Sequence, residues 1–255
     1  MPVIDPAQLR PQATALAAKF GNPDAMIADL RHLLIDYADT ARRRRSTALP
    51  ADRVTREEYG TPPPVLRAVV NALRKRIVAA PLASLVLVEK IWRGGSREEA
   101  RLAADLFALA APGAPSEALR LLETWLSDLD DGDAADALAT IGCAPLMSAD
   151  PRARLKDARR WLASENYQVR RFGVMAIAAL ARDKTFHDPA ALLDPLHGVM
   201  NESSPDLRKA VAAALRDITS AGQVEVARFL RDYALAADPA AHWIVRHGMT
   251  RLTTE

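Results

Sequence analysis

Apolar side chains recur along this chain at a period close to 3.6 residues, the spacing that places them on one face of an α-helix. Alternating patterns typical of β-strands are nearly absent. Most of the prolines between periodic segments stand at segment starts, where the missing N–H costs a helix nothing; they are Pro23, Pro81, Pro115, Pro151, Pro189, Pro205 and Pro239. The sequence therefore predicts an all-α chain. The expected helices are residues 6–20, 23–47, 63–79, 81–93, 96–111, 116–127, 132–146, 151–163, 168–182, 188–200, 205–220, 222–236 and 239–253.

From about residue 80 the expected helices alternate in pairs, at a spacing near that of HEAT-like repeats. Each repeated segment has a polar cap followed by a helix that carries basic side chains and an apolar stripe. A single helical hairpin cannot bury its own apolar face, but stacked neighbours can. We therefore predict a HEAT-like helical-repeat solenoid, an α–α superhelix.

Basic residues recur in the first turns of these helices. Arg170 and Arg171 are the clearest pair, and Arg208, Lys209 and Arg246 stand in comparable segments. The first turn of a helix has N–H groups without partners and a partial positive charge. Arginines there weaken the helix unless a bound anion neutralises their charge. Phosphate is the obvious anion, and these five residues are candidates for contacts with DNA. Ordinary surface charge is the alternative interpretation.

The run Arg42–Arg45 has two interpretations of similar weight. In the first, the run forms the end of a long amphipathic helix that begins near Asp24, where its cations stabilise the helix C-terminus. In the second, the run is an arm that contacts phosphates. The net charge of the chain is only +2, so the distribution of the basic residues, rather than their excess, carries the argument for a nucleic-acid partner.

The composition argues against several kinds of site. Cys143 is the single cysteine, which rules out an internal disulfide and a cysteine-based zinc site. No histidines have the spacing of a HExxH motif and no glycine-rich loop is suited to phosphates, so no metal and no cofactor are expected. No apolar run approaches the roughly 18 residues of a membrane span, and the first residues lack a signal-peptide pattern. We expect a cytoplasmic protein without a membrane partner.

Five segments carry a family resemblance through their order along the chain. They are Tyr59–Arg67, with a glycine and three prolines before a helix; Leu87–Trp92, with Arg97–Glu99 after it; Asp130–Gly142; Trp161–Val174; and Leu207–Arg216. Together they resemble the AlkD-type family of DNA alkylation-repair glycosylases, which are built from HEAT-like repeats. The resemblance implies a single domain over residues 1–255, with divergent N-terminal helices in 1–50, family-like repeats in 55–220 and capping helices in 221–255.

In that family two tryptophans, an aspartate and an arginine form the active groove. The family pattern Trp-Asp-x-x-Asp falls here on residues 132–136, which read Gly-Asp-Ala-Ala-Asp. The resemblance therefore implies that Asp136 is the catalytic carboxylate and that Gly132 stands in place of the first tryptophan. Arg171 stands at the arginine position, as a phosphate contact, and Ala213 at the second tryptophan position. A structural ion pair between Asp136 and Arg171 is an equally good interpretation.

The resemblance implies excision of N3- or N7-alkylated purines from duplex DNA. These bases are cationic, so their glycosidic bond is weak, and a carboxylate stabilises the oxocarbenium-like sugar that forms as the bond breaks. The two lost tryptophans would each add about 0.5–2 kcal/mol of cation–π attraction, and the candidates to replace them are Tyr167 and Trp125. Whether the chain is an enzyme therefore stays open. The alternatives are a family member that binds damaged or branched DNA without base excision, and a HEAT-like scaffold that binds a protein.

Overall fold

The computed structural model of the chain describes residues 4–39, 56–129 and 131–251. Within these ranges the regular structure is helical, and the one β-type pairing is an isolated parallel bridge between Glu57 and Ser96. The predicted all-α fold is confirmed. Residue contacts divide the chain into two compact units, Met1–Ala137 (unit 1) and Leu138–Glu255 (unit 2). The single-domain organisation stays a prediction.

Unit 1 has seven α-helices among its described residues, arranged in two rows. They are α1 (Pro6–Ala18), α2 (Pro23–Asp36), α3 (Pro63–Ala79), α4 (Pro81–Trp92), α5 (Arg97–Ala110), α6 (Pro115–Ser127) and α7 (Gly132–Ala137). In one row α3 packs on α1 and α5, and α5 packs on α7; in the other, α4 packs on α2 and α6. The rows meet in a buried core, where the rings of Phe107 and Trp125 lie 5.2 Å apart.

Unit 2 repeats this arrangement with seven further α-helices among its described residues. They are α8 (Ala144–Ala149), α9 (Pro151–Leu162), α10 (Tyr167–Ala181), α11 (Pro189–Leu193), α12 (Pro205–Thr219), α13 (Gln223–Ala234) and α14 (Pro239–Gly248). The helices α10, α12 and α14 pack side by side, with α9 against α10 and α13 against α12 and α14. Trp161 and Phe172 join α9 to α10 in an edge-to-face contact of 4.9 Å.

The prolines stand where the sequence predicts. Each of the seven is the first residue of a helix, so these starts are confirmed. Side chains just before four of them accept a hydrogen bond from a first-turn N–H; these caps are Asn22, Asp150, Asp188 and Asp238. A proline and a cap together fix the start of a helix locally, which is why the sequence predicts these positions well.

The predicted helix over 23–47 is too long, because α2 ends at Asp36 and residues 37–39 are not helical. Gly60 and Thr61 form hydrogen bonds with the end of α2 and with the residues just after it. The Thr61 hydroxyl donates to the carbonyl of Leu34 at 2.7 Å, and the N–H of Asp39 donates to the carbonyl of Gly60 at 3.0 Å. The interpretation of Arg42–Arg45 as the end of one unbroken helix is therefore wrong. The run itself lies outside the described residues, and its contact with phosphates stays a prediction.

Two other predicted helices are broken by proline. Within 132–146, α7 ends at Ala137, Leu138–Gly142 forms a π-helical turn and α8 follows, with Pro145 in its first turn. Within 188–200, α11 is followed by the 3-10 helix Asp194–Val199, which contains Pro195. An α-helix does not run undisturbed through proline, because the residue has no N–H and its ring meets the preceding turn.

Candidate functional site

The predicted catalytic carboxylate, Asp136, lies on α7 in unit 1. The buried carboxylate of Asp131 caps this helix by accepting a hydrogen bond from the N–H of Ala134 at 2.8 Å. Gly132 and Asp136 stand about one turn apart, and both are partly exposed. The cap fixes the start of a six-residue helix, so the Asp136 carboxylate has a defined place at the surface of unit 1.

Arg97, the first residue of α5, ties α7 to the rest of unit 1. Its Nη1 lies 3.0 Å from the Asp133 carboxylate and 3.8 Å from the Glu58 carboxylate. The side chain of Asp133 is 67% exposed, and a pair of this kind contributes at most about 1 kcal/mol to stability. The contacts of Arg97 therefore orient α7 more than they stabilise it.

Glu98 holds the segment that leads into α3. Its buried carboxylate accepts three backbone hydrogen bonds, from the N–H groups of Tyr59 at 3.1 Å, Gly60 at 2.7 Å and Thr61 at 3.0 Å. Gly60 has a φ of 82°, in the left-handed region that glycine adopts without strain. A carboxylate from α5 thus shapes the glycine–proline segment noted in the sequence and sets where α3 begins.

Glu99 is a second buried carboxylate in the first turn of α5. It accepts hydrogen bonds from the N–H of Ser96 at 3.1 Å and from the Nε of Arg31 at 2.8 Å, while the Ser96 hydroxyl accepts from the Glu99 N–H at 3.0 Å. Burial, followed by the charge of Glu99, raises the pKa of the nearby Tyr59. Ser-x-x-Glu is the capping-box spacing, and it is the sequence signal that identifies this anchor.

A cleft of about 440 Å³ opens between α3, α5 and α7; we call it the α3–α5–α7 cleft. Its charged lining comes from side chains far apart in the sequence: Glu58, Arg67, Arg97, Glu98, Arg101, Asp105 and Asp133. Burial raises the pKa of Asp105, and the guanidinium of Arg101 at 3.4 Å opposes that shift. The sequence-based site omits this cleft. The one local sequence signal for the cleft is the i, i+4 spacing of Arg97, Arg101 and Asp105 on α5.

Arg170, in the first turn of α10, is held by contacts within unit 2. The Nε of Arg170 lies 3.0 Å from the Glu202 carboxylate, and its Nη1 donates to the carbonyls of Ser164 and Glu165, each at 3.0 Å. The Arg170 side chain is 22% exposed. Arg170 is therefore held by three acceptors within unit 2, and Arg171 is partly exposed. Contact with DNA phosphates stays a prediction for both arginines.

The other predicted DNA contacts lie on α12 and α14 of unit 2. The guanidinium of Arg208 lies over the Trp243 ring, 5.4 Å from its centroid, and the same ring stacks on His247 at 3.7 Å. Lys209 and Arg246 are exposed. Because α10, α12 and α14 pack side by side, the five predicted basic residues belong to three adjacent helices of one unit.

Small side chains occupy the two positions where the family has tryptophan. Gly132 on α7 and Ala213 on α12 are both partly exposed. Trp125 is only 2% exposed and stacks on Trp92 with ring centroids 4.6 Å apart, so its ring forms core rather than surface. Tyr167, the first residue of α10, is partly exposed and is the remaining aromatic candidate of the two.

Within the three described ranges, no helix has the length and apolar character needed to cross a membrane. No three side chains of the metal-ligating types cluster there as a cation site. The expected lack of a metal, a cofactor and a membrane partner, and the cytoplasmic location, stay predictions.

Comparison with known proteins bears on both the fold and the family. The family model described as DNA alkylation repair enzyme matches residues 30–252. A solved structure, described as a predicted DNA alkylation repair enzyme from Enterococcus faecalis, matches with a TM-score of 0.68 and 18% identity, covering 86% of this chain and 98% of that chain. No curated protein matches the chain. The structural match confirms the helical-repeat architecture.

Proposed function

We propose that this chain, which belongs to the DNA alkylation repair enzyme family, binds duplex DNA and stabilises the charge that develops when a cationic N3- or N7-alkylated purine leaves its sugar. The observation that carries the proposal is Asp136, a partly exposed carboxylate on a helix oriented by Asp131 and by the Arg97–Asp133 pair. Family membership supplies the repair context, and Asp136 supplies a chemical group suited to the reaction.

The chemistry needs little more than a positioned negative charge. The bond between C1′ and the purine nitrogen breaks, and its electron pair neutralises the cationic base as it leaves. The sugar becomes oxocarbenium-like, and a fixed carboxylate beside it lowers the energy of that state. Water then adds to C1′ and loses a proton, which Asp136 or solvent accepts.

The small residues at the two tryptophan positions predict slow excision. With Gly132 and Ala213, the cation–π attraction of two aromatic walls is missing, about 1–4 kcal/mol in total. If that attraction acts in the transition state, its loss corresponds to a rate lower by roughly 5- to 1000-fold. Of the two aromatic candidates, Tyr167 is the one in unit 2, close to Arg171 in the sequence. Its ring can restore part of the missing cation–π attraction.

DNA binding is assigned to the basic residues of α10, α12 and α14. Lys209 and Arg246 are exposed and Arg171 is partly exposed, on three adjacent helices. Contacts of this kind are made to phosphates, so we expect binding with little sequence preference and a strong dependence on salt. Arg170 and Arg208 are expected to contribute charge from positions set by Glu202 and Trp243.

The test is single-turnover release of 7-methylguanine and 3-methyladenine from alkylated duplex, beside a binding titration. Asp136→Asn keeps the size of the side chain and removes its charge. We expect slow release by the wild type and at least tenfold slower release by the variant. Affinity for DNA is expected to stay equal or to rise slightly, because a charge that repels phosphate is gone. Asp128→Asn, at an exposed turn after α6, is the matched control.

Each outcome separates the candidate functions. Equal release by wild type and Asp136→Asn contradicts the role of Asp136. Undetectable release by a wild type that binds alkylated duplex favours the alternative in which the chain binds damaged or branched DNA without excision. Absence of duplex binding at low salt contradicts both DNA-based functions.

A protein-binding scaffold is the second candidate, and exposed apolar side chains favour it. Val78, Leu82 and Val86, on α3 and α4 of unit 1, are 57–60% exposed. Leu82 and Val86 stand one turn apart on α4, so their side chains are neighbours, and contiguous apolar surface marks interaction sites. If the chain is a scaffold, the Leu82→Asp variant no longer binds the protein partner, and the wild-type protein does not bind duplex DNA. Under the DNA proposal, Leu82→Asp binds duplex as the wild type does.

A further inference from the structure

The end of α3 and the start of α4 present apolar side chains to solvent. Val78 is the last large apolar residue of α3, and Leu82 and Val86 follow it on α4. Each of the three is more than half exposed. Such side chains gain free energy when another molecule removes them from water, so this surface is suited to binding a partner with an apolar face.

The turn between the two helices holds this surface in a fixed shape. The Ser84 hydroxyl, near the start of α4, lies within hydrogen-bond distance of two carbonyls, that of Ala80 at 2.7 Å and that of Ile77 at 3.1 Å. The N–H of Ala80 donates to the carbonyl of Arg76 at 3.1 Å. These bonds join the last turn of α3 to the first turn of α4, so the exposed side chains on either side of the turn belong to one preformed surface.

Cations that have no carboxylate partner flank this surface. Arg74 and Lys75 are exposed, and neither forms an ion pair within the described ranges. They stand four and three residues before Val78, so their side chains are its neighbours on α3. Arg76 has a local role, because a cation in the last turn stabilises a helix C-terminus. We define the α3–α4 corner as Arg74, Lys75, Val78, Leu82 and Val86.

Acidic side chains near the corner are few, and those on α4 and α2 are already paired. Residues 59–88 contain no aspartate and no glutamate. The first carboxylate along α4 is Glu89, which lies 2.8 Å from Arg93. Lys90 pairs with Asp24 of α2 at 2.6 Å. The unpaired charge of the corner is therefore positive, and a complementary partner is acidic.

These properties select among possible occupants. Duplex DNA would neutralise the cations but leave the apolar side chains uncovered, because its backbone contacts are polar. A second copy in two-fold symmetric contact would bring the same cations against each other, and like charges repel. Helices that lie on membranes carry aromatic anchors on their apolar face, and residues 60–91 contain no Phe, Tyr or Trp.

We propose that the α3–α4 corner binds an acidic amphipathic helix of a partner protein. Large apolar side chains of that helix cover Leu82 and Val86, and its Asp or Glu side chains pair with Arg74 and Lys75. Amphipathic helices bind through apolar anchors spaced at i, i+3, i+4 and i+7, and opposite charges beside the anchors fix the orientation and speed the encounter. The proposal goes beyond the DNA-based function and does not rest on it, because the described residues assigned to DNA contact lie on α10, α12 and α14.

The test is a fluorescence anisotropy titration of the full chain with three labelled synthetic peptides. The first is a helical peptide with leucines on one face, at i, i+4 and i+7, and glutamates on the other faces. The second has the same composition with the leucines spread around the helix, and the third has glutamine in place of glutamate. We expect saturable binding of the first peptide, and binding of the other two that is weaker by about fivefold or more.

An apolar-to-acidic substitution locates the contact. Leu82→Asp places a negative charge in the corner and is expected to weaken binding of the first peptide by about fivefold or more. Val86→Asp is a second variant on the same face, with the same expected effect. Val224→Asp, at a 68% exposed valine on α13, is the matched control and should leave the affinity unchanged. Circular dichroism confirms that each variant is folded before its titration.

A charge substitution tests the other half of the contact. Arg74→Gln with Lys75→Gln should weaken binding of the first peptide by roughly 2- to 30-fold at low salt, the range of two exposed ion pairs. The difference should shrink as salt screens the charges. Arg152→Gln with Lys156→Gln, which removes two exposed cations of α9, is the matched control and should keep the affinity of the wild type.

Several outcomes would overturn the docking proposal. Equal binding of the first two peptides, or equal losses with Leu82→Asp and Val224→Asp, shows that the corner does not recognise an amphipathic helix. Binding to vesicles of phosphatidylcholine and phosphatidylglycerol that Leu82→Asp abolishes, without binding of the first peptide, assigns the corner to a membrane. Loss of duplex affinity in the Arg74→Gln, Lys75→Gln variant, with unchanged peptide affinity, assigns the cations to phosphates. Failure to bind the first peptide leaves the DNA-based function as it stands.

Discussion

The N–H of Gly60 donates a hydrogen bond of 2.7 Å to the carboxylate of Glu98, across 38 residues of sequence. The N–H of Thr61 donates to the same oxygen at 3.0 Å, and α3 begins two residues later. The carboxylate therefore positions the start of α3 relative to α5. Since α3 and α5 both line the α3–α5–α7 cleft, the shape of the cleft depends on this buried anion.

Replacing Glu98 by Gln is expected to lower the free energy of unfolding by about 2–3 kcal/mol, because hydrogen bonds to a charged acceptor become hydrogen bonds to an amide. The amide group also brings a donor toward backbone donors. Equilibrium urea unfolding of the full chain measures the effect. Glu117→Gln, at a partly exposed site on α6, is the control and is expected to change the value by less than about 0.5 kcal/mol. Equal midpoints for both variants would show that the three N–H groups do not need the charge.

Arg170 and Arg171 are neighbours and are expected to fail in different ways. Arg171→Gln should weaken duplex binding and reduce the slope of log affinity against log salt by about 0.9, because one phosphate contact is lost. Arg170→Gln should instead lower the free energy of unfolding by about 1–3 kcal/mol, because the largely buried Glu202 loses its partner. Salt titrations and urea unfolding of both variants check the contrast. The reverse pattern would assign the phosphate contact to Arg170.

Returning the family's aromatic residues should accelerate base release. Gly132→Trp and Ala213→Trp together are expected to raise single-turnover release of 7-methylguanine by roughly 5- to 1000-fold, the converse of the missing cation–π attraction. The control is Gly132→Leu with Ala213→Leu, which adds apolar bulk without a π face and should give no comparable gain. If the leucine pair accelerates release as much as the tryptophan pair, the gain comes from water exclusion.

Asp105 is expected to make stability fall as pH rises. Burial raises the pKa of its carboxyl above the ordinary 3.8, so the protonated form favours the folded state. This contribution is complete below the ordinary value and is lost as pH rises through the raised pKa. The free energy of unfolding of the wild type, minus that of Asp105→Asn, should therefore decrease over that window and then stay constant. An increase over the same window would show that the pairing with Arg101 outweighs burial.

Helix starts follow from the sequence because their causes are local. A proline at the first position and a capping side chain before it act within a few residues, as Asn22 and Pro23 do for α2. The end of α2 has a distant cause. The helix ends beside Thr61, whose hydroxyl donates a hydrogen bond to the carbonyl of Leu34. The apolar periodicity of residues 23–47 cannot predict this contact, because Thr61 lies outside that segment.

The candidate site likewise has residues that a local sequence pattern identifies and residues whose neighbours are distant in the sequence. Asp136 and Arg171 were matched by resemblance to a family pattern, and their roles stay predictions. The partner of Arg170, Glu202, lies 32 residues away, so the sequence does not distinguish that arginine from its neighbour. The α3–α5–α7 cleft brings Glu58, Asp105 and Asp133 together across more than one helix, and only the packing of α3, α5 and α7 makes them neighbours.

The stacked rings of Trp92 and Trp125, 4.6 Å apart and inclined by 12°, give unit 1 an optical signature of its own. Two indoles this close couple their electronic transitions, which produces a circular dichroism couplet that separated tryptophans lack and whose sign and size depend on the angle between the two transition moments. Both rings are almost wholly buried, so the couplet persists only while α4 and α6 stay packed. Its loss during denaturation reports the unfolding of unit 1, independently of the helical signal that both units share.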